Sequence, residues 1–155
     1  MSPFLIFVAP IAFWVAWSDL SRMKIPNKAV VSLFLVFAVV GPFGLPFDEY
    51  LWRYVHLIVI LTAGFVLTAL GKAGAGDSKF AAAMAPFIAL DHAATFLYLF
   101  AAVLLAAFVT HRVFRAIPAV PAALPQWESF HRNDFPMGLA LAGTLVIYLG
   151  LSPLI

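Results

Sequence analysis

Long apolar stretches separated by short polar ones run the length of the chain: Phe4 to Trp17, Ala29 to about Phe47, Tyr54 to Gly71, Phe80 to Val109 and Met137 to Ile155. About 20 apolar residues in helical form cross a hydrocarbon core, and a spanning helix satisfies its own backbone groups, so the pattern predicts an all-α polytopic membrane bundle. The run from Phe80 to Val109 is interrupted only by Asp91 and His92. Its roughly 30 residues are too many for one ordinary span, which predicts a hairpin turning at Leu90-Asp91-His92 and about six transmembrane helices in all. The fourth helix, Phe80 to Leu90, would then rise only about 16 Å, so its start is expected to reach back through Asp77. Pro42 and Pro46 predict an early stop to the second run, with Asp48, Glu49 and Arg53 in the connection to the third. Ala116 to Phe135, with Pro118, Pro121, Pro125 and Trp127, reads as an ordered or surface-lying loop. The first run has no basic residue before it and no small-residue cleavage site after it, and is expected to be a retained span.

Composition removes the soluble alternative. With 65% hydrophobic and 10% charged residues and a mean hydropathy of +1.04, there is too little polar material to cover a water-facing surface. The length suits a single integral-membrane domain over residues 1–155. Cysteine is absent, which excludes disulfides, thiolate zinc sites and a cysteine nucleophile. The basic residues set an expected orientation. Loops after the first, third and fifth runs hold Arg22, Lys24, Lys28, Lys72, Lys79, Arg112, Arg115 and Arg132, and the opposite loops hold only Arg53. Lys and Arg stay on the cytoplasmic side, so both termini are expected outside and the polar ends of the first and fourth helices at the cytoplasmic face. These bases are divided among short loops, which argues for topology and against nucleic-acid binding.

Two acids stand out against this background. Asp19 ends the first apolar segment in Ser18-Asp19-Leu20-Ser21-Arg22, and Asp77 closes Gly74-Ala75-Gly76-Asp77 ahead of Ser78-Lys79. Ionisable groups at membrane depth are costly and are functional candidates, and two carboxylates that meet can share a proton and act as acid and base on a bound water. The plainer readings are that Asp77 caps the fourth helix, and that Asp19 pairs with Arg22 or Lys24. Mere surface placement does not explain Asp19, because an acid at a helix C-terminus opposes the dipole. Gly74 and Gly76 permit close approach of another chain beside Asp77.

Together these residues resemble the prepilin peptidases, or type IV leader peptidases, of the GxGD aspartyl membrane-protease class. Asp19 matches the family's first aspartate, followed by a basic stretch and Ile25-Pro26-Asn27. Gly74, Gly76 and Asp77 match the GxGD motif, with Lys79 in the lysine position that often follows it. Phe135-Pro136-Met137-Gly138 looks like the late proline-x-glycine element. Larger members carry an N-terminal extension with a cysteine-rich zinc loop associated with N-methylation of the product. This chain passes directly from its first span to the Asp19 motif, so it looks like the short, peptidase-only form found with tight-adherence (Flp-type) pilus systems.

The resemblance implies an aspartic endopeptidase of the bacterial inner membrane that removes the basic leader of prepilins or pseudopilins at the cytoplasmic face. Asp19 and Asp77 would be catalytic, with Gly74, Gly76, Lys79, Pro136 and Gly138 in support, and with no metal or cofactor. Its expected partners are the prepilin and the lipid bilayer. A small proton- or cation-coupled transporter subunit would also need membrane acids, and a non-catalytic secretion-system component is a third reading. His56 and His92 fall on the expected outer side and His111 and His131 on the inner, without ligand spacing.

Overall fold

The computed structural model describes residues 2–151, and among them every regular element is helical. The long helices are α1 (Leu5–Arg22), α2 (Asn27–Gly44), α3 (Phe47–Ala69) and α5 (Ala93–Ala116). All four are long and apolar enough to cross a membrane. Between α3 and α5 lies the short α4 (Ala75–Met84), followed by 3₁₀ turns at Ala85–Phe87 and Leu90–His92. After α5 come two short pieces, α6 (Ala119–Ala123) and α7 (Glu128–His131), and then the apolar α8 (Met137–Leu151). The last four residues of the predicted sixth run lie outside the described residues.

The predicted hairpin turn at Leu90-Asp91-His92 is the second 3₁₀ turn, and α4 does reach back through Asp77. Three boundaries differ from expectation, one of them the end of α5, which runs past Val109 to Ala116 and makes Arg112 and Arg115 helical. Helix α3 starts at Phe47, so Asp48, Glu49 and Arg53 are helical. Pro46 immediately before the helix and two acids in its first turn are favourable start chemistry that a hydropathy reading passes over. Arg53 is thereby carried into the protein: it is 5% exposed, pairs with Glu49 one turn back, and donates from Nη1 to the Pro86 carbonyl at 3.2 Å. Helix α1 likewise runs beyond Trp17 to Arg22, which places Asp19 inside its last turn.

Helix α8 is the hub, with α1 along one side, α5 along another and α4 against its start. Helix α3 packs mainly on α4. The core between them is apolar, built from Val8, Val15, Leu33, Phe37, Phe80, Met84, Leu145 and Leu149. Phe37 is its centre, in ring contact with Phe4, Tyr50, Tyr54 and Phe87. The outer faces of α3 and α5 stay apolar and uncovered, with Ile58, Phe65, Leu97 and Leu105 all more than half exposed. That is the expected surface of a helix whose solvent is lipid.

Candidate active site

Asp19 is 5% exposed, and its carboxylate reaches the start of α8, where the Gly138 N–H donates to Oδ2 at 2.6 Å. This resolves the difficulty of an acid at a helix C-terminus. The first N–H groups of a helix lack partners within it, and that end carries partial positive charge, so the α8 start offsets what the α1 end costs. Gly138 has to be glycine for this contact. A Cβ there would stand 2.9 Å from Asp19 Oδ2, 3.1 Å from Asp19 Cβ and 3.0 Å from Ile25 Cδ1. Pro136, fully buried just ahead of α8, sets the approach of the chain.

The turn after α1 brings in the next piece. Met23 takes a left-handed conformation (φ 52°) and donates its N–H to the Asp19 carbonyl, and Ser18 Oγ donates to the Lys24 carbonyl at 2.8 Å. The reversal returns Ile25 towards Asp19. Its side chain meets Gly138 on one side and Gly76 on the other, where a Cβ would lie 3.4 Å from Ile25 Cβ. Pro26 then leads into α2, and Asn27 Oδ1 accepts from Lys79 Nζ at 3.5 Å. Lys79 therefore ties α4 to the start of α2. Ile25 joins the two motifs by packing, a role with no sequence signal beyond its place in Ile-Pro-Asn.

Asp77 lies in the first turn of α4, half-buried. Gly74 holds the cap position and no side chain caps the helix, so the capping reading of Asp77 is not realised. Its carboxylate folds back over Gly74, where a Cβ would meet Oδ2 at 2.6 Å. Ile25, which touches Gly138 on the Asp19 side and Gly76 on the Asp77 side, brings the two aspartate segments together. Its neighbour Ser78 anchors α4 to α3 through a 3.0 Å hydroxyl contact with Thr68. Among the described residues the ion pairs are Arg53–Glu49, Arg132–Glu128 and Arg132–Asp134, so neither aspartate is neutralised by Lys or Arg.

All seven residues singled out by sequence thus fall in one neighbourhood. It is formed by the end of α1, the turn to α2, the start of α4 and the start of α8. Two carboxylates without a cation partner, one buried and one half-buried, are the groups needed to deprotonate a water and protonate a leaving group. The histidines lie elsewhere: His56 Nδ1 meets the Ile88 carbonyl, His92 Nδ1 meets the Tyr148 hydroxyl, and His111 is stacked on Phe130.

The model of the type IV leader peptidase family matches residues 6–111, which include Asp19, the turn to Asn27 and the whole GxGD segment. Gly138 lies beyond the matched region, so its part in the site rests on geometry. Comparison with curated proteins and with solved structures gave no match.

Proposed function

Because this chain belongs to the type IV leader peptidase family, we propose that it is a membrane aspartic endopeptidase that cuts the basic leader from Flp-type prepilins or pseudopilins at the cytoplasmic face. The observation that carries the aspartic assignment is the placement of Asp19. It is buried, bonded to the α8 N-terminus, free of any cation partner and joined through Ile25 to the glycine segment that carries Asp77. One carboxylate takes a proton from water as that water attacks the scissile carbonyl, while the protonated partner polarises the carbonyl oxygen. Collapse of the tetrahedral intermediate breaks the C–N bond as a proton passes to the leaving amine. The glycine segment at α4 keeps bulk away from Asp77, and the Gly138 amide holds Asp19 in place.

The test is co-expression with a Flp-type prepilin and a gel assay for loss of its leader. Wild-type protein is expected to give the shorter product, and Asp19→Asn and Asp77→Asn each to abolish it while remaining extractable and monodisperse, since an amide keeps the shape but cannot exchange the proton. Near-normal cleavage by either variant would remove that residue from the catalytic assignment.

A further inference from the structure

An open apolar groove of about 480 Å³ runs between α3 and α5, with α4 and the segment after it as its floor. It exists because α4 is short. Ten residues rise about 15 Å, half a hydrocarbon core, so two full-length helices stand apart with only a partial helix between them. Val59 and Leu97 form facing lips, 56% and 63% exposed, and Ala81, Met84 and Ile88 lie along the floor. His56 is the polar ring in the wall, and its Nδ1 is engaged by the Ile88 carbonyl.

The floor of the groove comes within a helical turn of the candidate active site along α4. Ala81 is one helical turn beyond Asp77 and Met84 nearly two, so the stripe of α4 that carries the carboxylate continues into the floor. We propose that this groove receives the apolar helix of the prepilin and so sets which peptide bond lies over Asp77. The inference rests on the peptidase reading above. A substrate cut between a basic leader and an apolar helix must enter the bilayer next to the carboxylates and continue across it, and the groove lies along that path, between the first halves of α3 and α5. Small residues on the floor, Ala81 among them, let a second helix approach closely, as packing between helices in lipid requires.

The absence of cysteine makes a direct test clean. Wild-type protein is first shown to cleave a Flp-type prepilin bearing a single cysteine in its apolar helix. Val59→Cys, Leu97→Cys and, as a lipid-facing control on α2, Leu35→Cys (51% exposed in the parent) are then placed singly in the Asp77→Asn background. After mild oxidation in membranes, the groove positions are expected to give disulfide adducts with the prepilin at least about tenfold above Leu35→Cys. Equal yields at all three positions, no adduct, or adducts only between two copies of this chain would overturn the groove assignment while leaving the peptidase reading intact. Failure of the wild-type cleavage step would overturn both.

Discussion

At the scale of single residues, three glycines make different demands, and their alanine variants should separate accordingly. A methyl at position 138 meets Asp19 Cβ and Ile25 as well as the carboxylate, and Asp19 Cβ cannot rotate out of the way. Gly138→Ala should therefore break the Asp19 bond and lower cleavage by about ten- to a hundredfold, the equivalent of the about 1.5–3 kcal/mol carried by a hydrogen bond to a charged group. At position 74 the methyl meets only the free end of Asp77. Gly74→Ala should turn that carboxylate aside and slow cleavage with little change in melting temperature. Gly76→Ala finds ordinary contact with Ile25 and should be nearly neutral, whereas Gly76→Val should fail by wedging Ile25 away. Initial cleavage rates and detergent melting curves on the four proteins check the order, and a neutral Gly138→Ala would count against the amide bond. The proposed two-aspartate mechanism gives a second expectation: kcat/KM should be bell-shaped in pH, with no base when both aspartates are protonated and no acid when both are ionised. The two aspartates were legible because charge inside an apolar run is conspicuous. The Gly138 amide was not, since a backbone donor leaves no mark in a residue code beyond the small residue that makes room for it.

At the scale of elements, what hydropathy conveys is which segments are apolar, and what it hides is where polar residues continue a helix. The last turn of α1 and the first two turns of α3 carry charged residues, and both are helical. Arg53 illustrates the consequence: read as a loop residue, it is instead a buried side chain joining α3 to the 3₁₀ turn that ends α4. Arg53→Ala should lower stability by about 1–3 kcal/mol through loss of the bond to the Pro86 carbonyl. Glu49, already part-exposed, loses little by being left without its partner. A lower melting temperature with cleavage per folded molecule retained is the expected result. The Pro-rich segment after α5 shows the other blind spot. Its helices α6 and α7 are too short for a periodicity signal, and α7 is held by rings distant in sequence, with Trp127 against Trp17 and Phe130 against His111.

At the scale of the whole molecule, the fold places both candidate acids at one end of the bundle, the end where α1 finishes and α4 and α8 begin. That end carries Arg22, Lys24, Lys28 and Lys72, while the opposite end carries Asp48, Glu49 and Asp91 with Arg53. The two sets lie about a membrane thickness apart, because α1, α2 and α3 run the full distance between them. If the basic end is cytoplasmic, the acids sit where a leader still attached to its apolar helix would be presented, and the active end faces inward. Single cysteines decide this without background labelling, because the parent chain has none. Asp91→Cys should react with a membrane-impermeant maleimide in intact spheroplasts. Lys72→Cys, two residues before Gly74 and exposed, should react only after the membrane is opened. The reverse pattern would put the carboxylates on the outer face, out of reach of a cytoplasmic leader, and the peptidase would then have to meet its substrate after export. That order contradicts a cut at a basic segment which the positive-inside preference holds back, so inverted labelling would overturn the substrate as well as the topology.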